Sequence, residues 1–116
     1  MTKNEFNQKC KELLSQNEIS LDMLIQCYVY LDKQVGKYAY LKKKWANGGI
    51  SNACYAESFN DAIQNRNEIE RILVMNYRYS IQDIKKEISK EDLLISKSNC
   101  ESIIEIVKSK SFILAM

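Results

Sequence analysis

The chain contains 116 residues, 46% hydrophobic and 28% charged, with four cysteines, three glycines, no proline and no histidine. This size and composition are typical of one globular domain, and we expect a single domain over residues 1–116. The formal net charge of +2 does not by itself indicate an acidic partner. Because proline and glycine interrupt helix interiors, their scarcity favours long helices over a β fold.

The composition also excludes several kinds of chemistry. Without histidine, the chain lacks the commonest general base and the commonest metal ligand. Its cysteines include no closely spaced pair that would indicate a zinc site. Gly48 and Gly49 lack the neighbouring residues of a phosphate-binding loop. We therefore expect no catalytic residues, no metal ion, no cofactor and no enzymatic activity.

The sequence further predicts a cellular location and a state for the cysteines. No stretch reaches about 18 consecutive apolar residues, and the first residues do not resemble a secretory signal. We expect a cytoplasmic protein without a membrane partner. Cys10, Cys27, Cys54 and Cys100 are predicted to be free thiols that pack as small apolar side chains. A regulatory disulfide would instead require a depressed thiol pKa.

The first predicted element is a helix over about residues 3–15. Thr2 and Glu5 have the spacing of a capping box, and Phe6 and Cys10 repeat on one helical face. The polar residues that follow predict a turn.

A long helix over about residues 20–46 is the element around which the chain is organised. Ser20 is suited to cap its N-terminus. Apolar residues then recur at alternating steps of three and four, the spacing of a seam packed against a partner helix. The seam residues are Leu21, Leu24, Tyr28, Leu31, Val35 and Tyr38, with Lys42 and Trp45 in the next two positions.

A second long helix, over about residues 51–79, is expected to pack on the first and complete a helical hairpin. Gly48 and Gly49 predict the turn between them, and Ser51 and Asn52 are suited to cap the new helix.

The middle of this second helix leaves two alternatives open. Residues 64–68 are all polar, which fits either one continuous helix with a polar turn or a break into two helices. In a continuous helix, Arg66 falls on the seam, where it would face acidic side chains of a neighbouring element or a partner protein.

Two further helices are predicted after the hairpin. Ser80 is suited to cap a short one, and Ser98 with Glu101 forms a capping box for another. Together these elements predict an all-α bundle, in which shorter N- and C-terminal helices pack on the hairpin.

The apolar tail, residues 111–116, is expected to dock on the core or on a second copy of the chain. An alternative pairs residues 92–96 with 112–116 as two short strands.

The excess positive charge is concentrated in the first half of the chain. The net charge is +3 over residues 1–50, −1 over 51–79 and zero over 80–116. The surplus comes from Lys33, Lys37, Lys42, Lys43 and Lys44, with Tyr40 and Trp45 interleaved.

A second candidate surface is the Tyr77-Arg78-Tyr79 run, because tyrosine and arginine are enriched in binding hot spots. Tyr28, Tyr38 and Tyr77 are also expected to be core aromatics. The complete set of candidate partner-binding residues is Lys37, Tyr40, Lys42, Lys43, Lys44, Trp45, Arg66, Tyr77, Arg78 and Tyr79.

These features predict a non-enzymatic module that binds another protein. The abundance of Ile, Lys, Asn and Ser is typical of an AT-rich genome. A small chain of this kind suits an accessory protein of a phage or mobile element, an anti-CRISPR-like inhibitor that occludes a host defence protein. One alternative is a nucleic-acid-binding regulator that uses the basic face of the 20–46 helix. Another is a homo-oligomer assembled through the apolar tail.

Overall fold

A computed structural model of the protein describes residues 1–46 and 49–115. Helix α1, Lys3–Ser15, begins where the Thr2 hydroxyl accepts a hydrogen bond from the Glu5 amide at 3.1 Å. It ends in a turn at Gln16 and Asn17, and the latter has a positive φ of 59°. The predicted first helix, the Thr2 cap and the following turn are confirmed. The predicted capping box is only half formed, because Glu5 Oε1 accepts from the Thr2 hydroxyl at 3.1 Å and not from the Thr2 backbone amide.

Two long antiparallel helices, α2 (Leu21–Lys44) and α3 (Ile50–Tyr77), form the predicted hairpin. They make the most extensive contact between any two elements of the described residues, and the all-α fold class is confirmed. Ser20 caps α2 as expected, since its hydroxyl accepts from the Met23 amide at 3.2 Å. At about 1.5 Å per residue, the two helices are roughly 36 and 42 Å long.

The turn between the helices departs from the prediction in its cap. Gly48, part of the predicted glycine turn, lies outside the described residues. Helix α3 begins after Gly49, whose φ of +59° favours glycine, rather than after Ser51 or Asn52. The side-chain amide of Asn52 instead donates to the Lys42 carbonyl at 3.0 Å, so it satisfies a free carbonyl at the end of α2.

Helix α3 is continuous, so the alternative of a break at residues 64–68 is wrong. Its polar middle turn has a partner on α2, because the Arg66 guanidinium donates to Asp32 Oδ1 at 2.9 Å. This contact is the one predicted between Arg66 and the acidic side chains of a neighbouring element.

The shorter helices are α4, Ile81–Lys90, and α5, Lys97–Ser109. Ser80 caps α4 as predicted. The predicted capping box of Ser98 and Glu101 is wrong, because Ser96 caps α5 and accepts from the Asn99 amide at 3.2 Å. Helix α5 therefore starts before Ser98, and Glu101 faces Lys97 at 3.9 Å.

Two short strands, β1 (Glu18–Ser20) and β2 (Ile113–Ala115), pair in parallel. The predicted pairing of 92–96 with 112–116 is wrong, since the chain between α4 and α5 forms no strand and β2 pairs with β1. Ile19 is fully buried, so β1 is anchored in the core while β2 covers its edge. The tail is thereby docked on its own chain as far as residue 115, and Met116 lies outside the described residues.

One hydrophobic core contains residues from all five helices and from β1. It lies at the end of the hairpin nearest the termini of the described chain. Beyond Leu31 on α2 and before Ile69 on α3, no described residue belongs to it. We call residues 33–46 and 49–61 the arm. The core residues are Phe6, Cys10, Ile19, Met23, Leu24, Cys27, Tyr28, Leu31, Ile69, Ile72, Leu73, Ile84, Ile95, Cys100, Ile103 and Val107.

The segment between α4 and α5 is held on α2 by one buried side chain. Gln26 is only 2% exposed. Its Oε1 accepts from the Leu94 amide at 2.7 Å and the Ile95 amide at 3.3 Å, and its Nε2 donates to the Asp92 carbonyl at 2.8 Å. One side chain thus satisfies three backbone groups that no regular secondary structure satisfies.

Asn7 on α1 holds the same segment from the other side. Its amide nitrogen donates to the Leu94 carbonyl at 3.0 Å, and its Oδ1 accepts from the Ser96 amide at 2.8 Å. The buried Asn99 side chain also donates to this oxygen at 2.9 Å. Two amide side chains therefore fix the path by which the chain enters α5.

Replacing Gln26 with Ala should destabilise the protein by about 2 to 4 kcal/mol, because three backbone groups at buried or partly buried positions lose their partners and a cavity remains. The matched control is Gln64→Ala, at an exposed position of α3, which should change stability by less than about 0.5 kcal/mol. Urea unfolding followed by circular dichroism measures both. Equal stabilities of the two variants would contradict the assigned role of Gln26.

Candidate functional site

The described residues contain neither a metal cluster nor a membrane span. No group of three or more Cys, Asp or Glu among them could hold a metal ion. No helix that the model describes combines the length and the apolar character needed to cross a bilayer. Two of the exposed large aromatic or aliphatic side chains, Tyr40 and Trp45, lie on the arm beside several exposed lysines.

Lys42 points toward α3 and away from the exposed side of α2. Its ammonium nitrogen lies 5.1 Å from the centroid of the Phe59 ring, within the range of a cation–π contact. Lys42 occupies the next seam position after Tyr38, as its spacing predicted. Its side chain packs on α3 at the point where the apolar seam residues end. Lys37 and Lys44 make comparable contacts with their neighbours in sequence, at 5.4 Å from the centroid of the Tyr38 ring and 5.9 Å from that of the Trp45 ring.

Lys33, Lys37, Tyr40 and Lys44 share the face of α2 that lies opposite the seam. With about 3.6 residues per turn, these four positions fall within roughly 60° of one another around the helix axis. All four are exposed. We call them the basic ridge. It extends about 17 Å along the arm, and Lys43 lies beside it.

The charges of the basic ridge are not neutralised by the rest of the described chain. None of its lysines forms an ion pair in residues 1–46 and 49–115, where the ion pairs are Arg66–Asp32, Arg71–Glu68 and Lys97–Glu101. Tyr40 is 65% exposed and Trp45 is 45% exposed. Lysine charge and open aromatic rings are thus adjacent at the end of α2, a pattern typical of a binding surface.

The other helix of the arm carries charge of the opposite sign. Glu57 and Asp61 of α3 are exposed, and residues 49–61 contain no Lys or Arg. The arm therefore has a basic side on α2 and an acidic side on α3. Such a charge separation orients a partner during its approach as well as attracting it.

Arg66 lies closer to the core than the candidate residues of the arm do. Its side chain is 27% exposed and that of its partner Asp32 is 44% exposed. An ion pair this open contributes little to stability, typically below about 1 kcal/mol. The pair nevertheless commits the guanidinium to a contact within the chain, so Arg66 is not part of the basic ridge.

The Tyr77-Arg78-Tyr79 run does not form one exposed patch. Tyr77 and Tyr79 are half-buried and pack against the core, and only Arg78 is exposed. Arg78 has a left-handed backbone (φ 57°) because it ends α3. The buried Tyr77 hydroxyl has no hydrogen-bond partner among the described residues.

A cleft of about 540 Å³ lies where α4 meets the hairpin. Tyr28, Asp32, Arg66 and Glu70 line one side of it, with Lys85 on the other. Its two acidic and two basic groups balance, and Asp32 already pairs with Arg66. The cleft therefore presents no net charge to a ligand. It lies between α4 and the base of the arm.

Tyr28 is the residue of this cleft whose pKa is shifted from its ordinary value. Its hydroxyl donates to Glu70 Oε1 at 3.3 Å. Burial, together with the charge of Glu70, raises the pKa of the Tyr28 phenol to about 12. The phenol thus stays protonated at neutral pH and acts as a hydrogen-bond donor.

Five of the predicted site residues lie together at the end of α2, namely Lys37, Tyr40, Lys43, Lys44 and Trp45. Lys33 was predicted to contribute to the basic charge of this helix but was not among the predicted site residues. The signal was present, because Lys33 precedes Lys37 by one helical turn and continues the same exposed face. The same periodicity places Lys42 on the seam.

Of the four cysteines, Cys10, Cys27 and Cys100 are buried as predicted. Cys54 is exposed on the arm, so the expectation that it packs in the core is wrong.

Comparisons of the chain with family models, curated proteins and solved structures found no match. The functional conclusion therefore depends on the geometry and charge of the arm.

The free energy of unfolding at alkaline pH should depend on the burial of the Tyr28 phenol. The phenol pKa is 10 in the unfolded chain and about 12 in the folded one. The unfolded state therefore loses its proton first, so the Tyr28 contribution is complete below pH 10 and is lost as pH rises from 10 to 12.

Urea unfolding at several pH values should show a smaller fall in stability over this window for Tyr28→Phe than for the wild type. The control is Tyr40→Phe, at an exposed position, which should keep the wild-type slope. An unchanged slope in Tyr28→Phe would contradict the assignment.

Proposed function

We propose that this protein is a non-enzymatic binding module whose arm docks on an acidic surface of another protein. The observation that carries the proposal is the alignment of Lys33, Lys37, Tyr40 and Lys44 on one exposed face of α2. The three lysines have no ion-pair partner among the described residues, so their charges are open to a partner.

The arm is also suited to binding because little of the fold depends on it. The residues of its exposed face lie outside the core, so a partner can cover them without disturbing the packing. Tyr40 and Trp45 supply large, rigid apolar area beside the lysines. Such rings bind with a low loss of side-chain entropy, and nearby cations add specificity.

An acidic protein surface fits the arm better than a nucleic acid does. The net charge of the chain is only +2, below that of a typical nucleic-acid-binding domain. Glu57 and Asp61 on α3 would repel phosphates, whereas a protein surface can present both signs of charge.

In this proposal, the protein acts by covering a functional surface of its partner. A chain without catalytic groups can inhibit only by occupying space or by holding one conformation of its target. The small size and the composition support an accessory protein of a phage or mobile element, with a host defence protein as the target.

The test compares three forms of the chain. In the ridge variant, Lys33, Lys37 and Lys44 are each replaced by Glu. In the control variant, Lys9, Lys11 and Lys108 are replaced by Glu, which changes the net charge by the same amount at exposed sites away from the arm. Each form is immobilised, nuclease-treated cell lysate is applied, and the retained proteins are quantified by mass spectrometry.

We expect at least one protein to be retained equally by the wild type and the control variant but about tenfold less by the ridge variant. Reversal of three contacting charges slows association and weakens a complex by this order. Retention of the same proteins by all three forms would overturn the proposal. So would binding of the wild type to duplex or single-stranded DNA that falls steeply with salt, since that result supports the nucleic-acid alternative.

A further inference from the structure

Two buried thiols meet in the core. Cys27 lies on α2 and Cys100 on α5, and their sulfur atoms are 3.1 Å apart. Both residues are 0% exposed. The Cys27 thiol also lies 3.9 Å from the Cys100 carbonyl oxygen. Cys10 is also buried, and Cys54 is exposed on the arm.

The two sulfur atoms are nearly at bonding distance. A disulfide requires a separation of about 2.05 Å, so the sulfurs would have to approach by roughly 1 Å. Rotation of the two cysteine side chains is the movement that this approach requires. The helices are already held side by side, because the segment leading into α5 is bound to Gln26 of α2, one residue before Cys27.

We propose that Cys27 and Cys100 are a disulfide-forming pair that links α2 to α5 under oxidising conditions. The oxidant is a low-molecular-weight disulfide such as oxidised glutathione. One thiolate attacks it and releases one reduced thiol. The second cysteine then attacks the mixed disulfide and releases the other. The protein loses two protons and two electrons, and the small disulfide is reduced to two thiols.

The environment of the pair determines when the reaction takes place. A hydrogen bond with Cys100, together with burial, raises the pKa of the Cys27 thiol well above its ordinary value. The reactive thiolate is therefore scarce in the folded protein, and small oxidants cannot reach the sulfurs. The disulfide forms while the chain folds or transiently opens, and the folded core then shields it from reductants.

The bond would connect positions 73 residues apart in the sequence. Closing a loop of that length restricts the unfolded chain strongly and so stabilises the folded one. Reduced and oxidised forms would share one fold but differ in how firmly α5 is held on α2.

The experiment refolds the full chain from denaturant in two buffers, one with reduced glutathione and one with a mixture rich in oxidised glutathione. Free thiols are then blocked by alkylation, and peptides are mapped by mass spectrometry under non-reducing conditions. Thermal unfolding of both products follows. The Cys54→Ser variant is treated in parallel, because its exposed thiol is the one expected to form mixed disulfides.

We expect one intramolecular disulfide, between Cys27 and Cys100, in the wild type and in Cys54→Ser. Its Tm should be higher than that of the reduced form by about 10 °C or more. Three results would each overturn the proposal. In the first, the pair does not lose two hydrogen atoms; in the second, the principal disulfide includes Cys10 or Cys54. In the third, the oxidised form has a Tm equal to or lower than that of the reduced form. The mapping uses the wild-type chain, so it does not depend on a core variant that folds.

Discussion

The attachment of the segment between α4 and α5 to α2 is the constraint on which the remaining structure depends. That segment has no regular hydrogen bonding, yet it passes over the most buried part of the hairpin. Gln26 and Asn7 satisfy its backbone groups from two sides, and only then can α5 pack its buried face on α2. Without these amides, the free amide and carbonyl groups of the segment would each be costly to bury, typically about 1 to 3 kcal/mol. The polar contacts of Gln26 and Asn7 thus allow α5 to reach the apolar core.

The same attachment explains where the basic ridge begins. Gln26 and Lys33 are seven residues apart, so they lie on nearly the same face of α2. Near Gln26, this face is covered by the segment that enters α5, and it carries the uncharged Gln26 side chain. One heptad later the cover has ended and the face carries lysine. The exposed side of the arm is therefore the uncovered continuation of a face that is buried at the base of the hairpin.

Much of this fold could be predicted, and the failures have identifiable physical causes. The hairpin followed from seam periodicity, which is a strong signal over 20 or more residues. Ser20, Ser80 and Thr2 were identifiable as caps because their hydroxyls act locally.

The cap of α5 was misassigned because Ser96 and Ser98 are both serines near the start of that helix. The choice between them is made by Asn7, which is distant in sequence. The β1–β2 pairing is likewise a contact between remote residues, with no periodicity to reveal it. For the candidate site, periodicity separated Lys42 from Lys44, whereas the exposure of Cys54 depended on how far the other helices extend along the hairpin.

The parallel strand pair has a consequence for how the chain reaches its final state. Asn17 and Ser111 are 94 residues apart in sequence, yet the Asn17 side chain donates to the Ser111 carbonyl where the strands meet. Bringing such distant segments together requires closure of a long loop, which is slow compared with the zipping of neighbouring helices. The hairpin can therefore assemble early from contacts near in sequence, and the two strands meet late, after α5 has docked. Until that final step, β2 does not cover β1. The edge of β1, which contains the apolar Ile19, is therefore exposed in the assembling chain for as long as the step takes.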